Sequence, residues 1–246
     1  MGHGILLSGG AAVDFNVHGI FQYSFFGHPV WITTTHVSIL MVLLLLTAFA
    51  IAANRCMAKA SEVPGGFQNV VEMIVEKLDG MVDGSMGQAA PRFQNYIGTL
   101  FIFILISNIS GLLGLRPPTA DYGVTLPLAV ITFTMIHFNK WKYQKPKTIW
   151  TDLCSPLPPW LPIWMPINIV SAVAVPISLS LRLFANVLSG TAMMALLYGL
   201  LGWFATAWPA ALHVYFDLFS GAIQTYVFCM LTMTYISNEI GDGTRR

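Results

Sequence analysis

PINIVSAVAVPISLSLRLFANVLSGTAMMALLYGLL, residues 166–201, is an apolar run containing a single charged residue, Arg182. At about 1.5 Å per residue, a helix of about 36 residues reaches roughly 54 Å, against about 30 Å of hydrocarbon in a bilayer. No other charge lies between Asp152 and Asp217. The span at 210–238 is nearly as long, and both are therefore expected to lie steeply tilted in the membrane, with Pro176 removing a backbone donor where the fourth helix bends. A permanent charge at a bilayer centre costs ~3 to ~15 kcal/mol depending on the reference state. An ionisable group there points by default to function.

The rest of the chain fits that solvent. Of 246 residues, 55% are hydrophobic and 9% charged, against roughly 25% charged in soluble domains. Unbroken runs such as HVSILMVLLLLTAFAIAAN (36–54) indicate helices, since a barrel would alternate. The expected fold is an all-α polytopic membrane protein with five membrane helices, over about 35–54, 95–115, 123–139, 166–201 and 210–238. Residues 1–34 form an external N-terminal segment and 35–246 a single membrane domain. The first thirty residues lack a basic region followed by an apolar core, so no cleavable signal peptide is expected. Between the first two spans, Phe67, Val70, Val71, Ile74, Leu78, Met81 and Val82 recur at helical spacing opposite Gln68, Asn69, Glu72, Glu76 and Asp79. That pattern predicts an interfacial amphipathic helix at about 66–84, or one packed on a partner protein.

Ten basic residues (Arg55, Lys59, Lys77, Arg92, Lys140, Lys142, Lys145, Lys147, Arg245 and Arg246) fall on one side if the spans alternate, and Arg116 alone on the other. The N-terminus is then outside and the C-terminus inside. Trp31, Trp141, Trp160, Trp203 and Trp208 sit near the expected interfaces, as an aromatic belt does. Cys56, Cys154 and Cys229 are odd in number and lack metal spacing. The net charge of +1 gives no electrostatic case for a nucleic-acid partner. No G-x-x-x-x-G-K-[ST] loop occurs, and no cofactor is expected.

Two polar stripes accompany Arg182. On the fourth span Asn168, Ser171, Ser178, Arg182, Asn186 and Ser189 share a helical face; on the fifth His213, Asp217, Ser220 and Gln224 do so, after which that face turns apolar. A stripe that stops near mid-depth describes an aqueous half-channel rather than a through-pore. Structural readings stay open beside it. Ser178, Ser189 and Ser220 suit close helix packing. Asp217 suits a buried salt bridge with Arg182, Asn186 and Gln224 an interhelical pair, and His213 a surface position.

SLRLFANVLSG with GAIQTYVFCMLTMTYIS resembles subunit a of F-type ATP synthases, and the likeness covers residues 35 to 240. Arg182 matches the family's essential arginine, Asn186 the asparagine one turn later, and Gln224 the glutamine facing the arginine. PTADYGVT (118–125), VPGGFQNVVE (63–72) and Asn108 also match family patterns. Thr191, Asn168, Val175 and Gly111 depart from residues common at those places, which leaves Asp217 as the main ionisable relay.

The resemblance implies an ion-translocating stator beside a ring of c-subunits, each with a mid-membrane carboxylate. Arg182 strips those carboxylates of H⁺ or Na⁺ between two offset half-channels, and Asn186, Thr191, Asp217, Gln224, His213, Asn108, Ser178 and Asn168 form the ion pathway. It also implies peripheral-stalk b subunits as partners and a soluble catalytic sector that holds the ATP chemistry. The expected location is a bacterial inner membrane or that of an organelle. A self-contained secondary transporter and a membrane scaffold with a buried Arg182–Asp217 pair are the rival readings.

Overall fold

The computed structural model describes residues 19–25, 28–58, 65–113, 115–154, 165–201, 212 and 214–244. His213, Lys59, Arg245, Arg246, Trp160, Trp203 and Trp208 lie outside the described residues. The architecture is almost entirely helical, and among the described residues five helical stretches are long and apolar enough to cross a membrane.

The chain enters through an antiparallel hairpin, β1 (Gly19–Phe25) and β2 (His28–Thr33), which the sequence reading left as an unassigned external segment. It runs directly into α1 (Thr34–Met57), where Thr33 Oγ1 lies 2.7 Å from His36 Nδ1. α1 is built inside out. Thr35, Ser38 and Val42 pack inward while Leu40, Met41, Leu43, Leu44 and Leu45 are exposed. In water such a helix would roll its leucines into the core. It is stable this way round only where the surroundings are apolar and small residues make the helix contacts. The same inversion holds elsewhere: Thr119, Thr125, Thr132, Ser180, Thr225 and Thr232 are fully buried, while Val170, Val173, Ile177 and Leu181 are exposed.

α2 (Gly66–Met86) packs on α1, α3 and the last helix. Of its inward residues, Val71 and Val82 belong to the apolar stripe read in the sequence, while Gln68 and Met86 do not. Phe67 and Val70 face outward, and Gln68, read as part of the polar side, is buried and donates to Glu72 Oε1 at 2.8 Å. Gly87 then ends the helix at φ +53°, a left-handed cap that glycine adopts without a Cβ clash. One 3₁₀ turn (Gly87–Ala89) leads to α3 (Ala90–Ile109).

The α-helical part of the second span ends at Ile109, and the chain continues through 3₁₀ turns at Ser110–Leu113 and Pro118–Ala120. Pro117 and Pro118 lack the N–H donors that would extend the helix. Asp121 caps α4 (Tyr122–Tyr143), accepting from Gly123 N at 2.9 Å. α4 presents Thr125, Ala129, Thr132 and Ile136 along one face, and α6 packs there, with Ser180 Oγ 3.2 Å from Thr125 Oγ1. A short helix not anticipated from the sequence, α5 (Pro146–Cys154), precedes α6 (Met165–Leu201), which is 37 residues long with Pro176 inside it. The last span opens with a π-helical turn, Val214–Ser220, before α7 (Gly221–Thr244). The core lies where α3, α4, α6 and α7 meet, around Ile97, Ile104, Leu183, Phe228, Met233 and Ile236. At the far end of α7, Glu239 pairs with Lys140 of α4 at 3.1 Å, and Gln144 donates to the Glu239 backbone oxygen at 3.2 Å.

Candidate functional site

Leu179 and Leu183 anchor the buried side of α6, and that anchoring turns Arg182 outward. Arg182 stands on an exposed face made of Ser178, Leu181, Ala185, Ser189 and Met193. A lone guanidinium is thus displayed on an otherwise apolar or small-residue surface. One turn on, Asn186 leaves that face for the last span: Ser220 Oγ donates to Asn186 Oδ1 at 3.1 Å. The two helices are close here, since a Cβ placed on Gly190 would lie 3.8 Å from Phe216 Cβ.

The stripe read on the fifth span assumed α-helical spacing, and the π-turn divides it. A π-helix bonds i to i+5, so each residue advances less around the axis. Ser220 faces Asn186, whereas the Asp217 carboxylate lies against Gly111, where a Cβ would be 3.1 Å from its Oδ2. Gln224 is 8% exposed, and its Nε2 has no hydrogen-bond partner among the described residues. Asn186 and Gln224 are therefore not joined as the interhelical pair considered above: the partner of Asn186 is Ser220.

The remaining expected residues have separate settings. Thr191 Oγ1 bonds back to its own helix, at Leu188 O (2.9 Å) and Val187 O (3.2 Å). Ser178 is exposed and Asn168 half-buried toward the other end of α6. Asn108 is 3% exposed and bonded on both ends of its amide: Nδ2 donates to Gly221 O (3.1 Å) and Thr225 Oγ1 (3.2 Å), and Oδ1 accepts from Thr119 Oγ1 (2.7 Å). Thr119, Gly221 and Thr225 lie within the quoted stretches PTADYGVT and GAIQTYVFCMLTMTYIS, but nothing in their residue types singled them out as partners of Asn108.

Taken together, these features define a polytopic membrane protein whose last two spans enclose a polar site beside an outward-facing arginine. The chain belongs to the ATP synthase A chain family, whose model matches residues 35–237. It is 34% identical to "ATP synthase subunit a, sodium ion specific" of Propionigenium modestum, over 89% of this chain and 77% of that protein. It is 34% identical to ATP synthase subunit a of Moorella thermoacetica, over 86% and 92%, and 33% identical to that of Oceanobacillus iheyensis, over 82% and 88%.

Proposed function

We propose that this chain is the ion-translocating stator of a rotary ATP synthase and works by two offset half-channels on either side of Arg182. The observation that carries this reading is the display of Arg182 on the exposed apolar face of α6, one turn from the Asn186–Ser220 bridge. A ring of c-subunits is the partner that fits this face, because a sliding contact needs apolar and small side chains around one fixed charge. Peripheral-stalk b subunits, and through them the soluble catalytic sector, complete the assembly. The chain sits in a bacterial inner membrane with its N-terminus outside and its C-terminus inside.

A c-subunit carboxylate crossing lipid is neutral, carrying a proton or a sodium ion, because the bare charge is costly there. When it reaches Arg182, an opposite charge within ~4–6 Å lowers its pKa by about 1–3 units and favours the ionised form. The ion leaves through the inner half-channel, on the side of Ser178 and Asn168. Ring rotation then brings the empty carboxylate to the outer half-channel, lined by Asn186, Thr191, Asp217 and Gln224, with His213 at its mouth. Arg182 also blocks a direct hop between the two, since a cation meets a charge that burial does not remove. The membrane potential drives each transfer with about 2.3 kcal/mol per charge per 100 mV.

The test is ion-driven ATP synthesis in proteoliposomes, comparing wild-type complex with Arg182→Ala at equal assembly. The expected result is an assembled mutant that makes no ATP. Synthesis near the wild-type rate would overturn the reading, and loss of assembly would favour the scaffold.

A further inference from the structure

The end of α3 and the segment that follows it meet the π-turn of the last span at its middle and at its downstream end. Midway along the turn, Gly111 receives the Asp217 carboxylate: a Cβ there would lie 3.1 Å from Oδ2, and also 3.3 Å from Pro117 Cγ. At the downstream end, where the π-turn reverts to α-helix, Asn108 meets Gly221 so closely that a Cβ on Gly221 would be 2.9 Å from Asn108 Cβ. There the Asn108 amide donates to Gly221 O and Thr225 Oγ1, Thr225 Oγ1 itself donates to Gly221 O at 2.8 Å, and Thr119 Oγ1 donates to Asn108 Oδ1. Thr119 and Thr225 are fully buried.

We infer that Asn108 and Thr119 are positioning residues for Asp217: they clamp the junction between the π-turn and α7, and so fix where its carboxylate stands. Three physical points support this. A π-turn is a rare departure from α-helical register, so this one depends on the contacts around it. Both N–H groups and one carbonyl lone pair of the Asn108 amide are committed to protein atoms, so this side chain braces backbone instead of presenting donors to an ion pathway. Finally, Asn108 and Gly111 belong to one short stretch, so one support touches the turn both at Asp217 and at its junction with α7. If the clamp is lost, the turn is free to relax toward α spacing, which swings Asp217 away from Gly111.

The inference rests on the reading of Asp217 as the entry-side relay, and its test separates the two. In the full complex, Thr119→Val keeps the side-chain shape and removes the hydroxyl donor, while Thr119→Ser keeps the donor and removes a methyl. Synthesis per assembled complex should fall by up to roughly 100-fold in Thr119→Val, the loss that a displacement of about 1 Å brings to a positioned group. It should recover in Thr119→Ser. The opposite order, with valine active and serine impaired, identifies packing and overturns the inference. Position is read independently of activity by alkylating Asp217→Cys complexes with a membrane-impermeant maleimide and following residue 217 by peptide mass spectrometry. The labelling rate should change at least about fivefold on Thr119→Val and return on Thr119→Ser; an unchanged rate overturns the inference. If Thr119→Val does not assemble, Thr225→Val breaks the same clamp from α7 and carries the same expectations. Full synthesis in Arg182→Ala would defeat the stator reading whatever the labelling shows. A silent Arg182→Ala with unchanged labelling defeats only the clamp.

Discussion

Gly221→Ala tests the close approach of α3 to α7 by the sign of its effect. In an open helical position, alanine stabilises relative to glycine by about 0.5–1 kcal/mol. At residue 221 the new Cβ lies 2.9 Å from Asn108 Cβ, about 0.6–1.1 Å inside the favourable carbon–carbon separation. Such overpacking costs about 1–3 kcal/mol. Pushing Asn108 back also strains its bonds to Gly221 O and Thr225 Oγ1, each with a net worth of about 1 kcal/mol. The balance is a destabilisation of about 1–3 kcal/mol, or a fall of roughly 5 °C in Tm at ~2–4 °C per kcal/mol. Gly80→Ala is the control, because nothing lies within 4 Å of a Cβ there and α2 continues on both sides. It should raise stability by about 0.5–1 kcal/mol. The assay is thermal unfolding of the complex in lipid nanodiscs, followed by reaction of the buried Cys229 thiol with a fluorogenic reagent. A Gly221→Ala protein as stable as Gly80→Ala would refute the close approach.

Ser220→Ala removes the donor to Asn186 and should lower stability by about 1 kcal/mol, measured in the same unfolding assay. Leu44 is 62% exposed near the middle of α1, so Leu44→Lys should cost about 3 kcal/mol of insertion and lower the inserted fraction in a translocation assay. Unchanged insertion would place that face in water. Lys140→Met breaks the pair with Glu239; because both side chains are about a quarter exposed, the loss should stay within ~1 kcal/mol and shrink as salt rises.

The spans were legible because an unbroken apolar run has few other uses, and Arg182 because a charge inside one is expensive. Asn186 stood out by spacing from Arg182, and it does reach the last span. What the spacing rule missed is where the backbone departs from it. Nothing in VYFDLFS marks a π-turn, so a stripe drawn at α-helical steps joined Asp217 to Ser220 although they face different neighbours. On α2 the stripe supplies the buried Val71 and Val82 together with the exposed Phe67 and Val70, and what the spacing did not show is that Gln68 turns in, where it has Glu72 to bond. Thr119 lay in the quoted PTADYGVT stretch, but its role was not legible, because a buried hydroxyl reads as a small packing residue until its acceptor is known.

α1 carries one consequence for how this chain tolerates change. Only 11% of its most apolar window is buried inside the protein; Thr35, Ser38 and Val42 are its buried residues, and Phe49 meets Phe67 of α2 edge-on. Its leucines are therefore selected by solubility in lipid and not by fit to a neighbour. Leu43, Leu44 and Leu45 are exposed and could be exchanged together for isoleucine, valine or phenylalanine with no packed neighbour to disturb, whereas a larger side chain at the buried Ser38 would have to displace what surrounds it. The least variable positions of this helix should be its smallest and most polar ones.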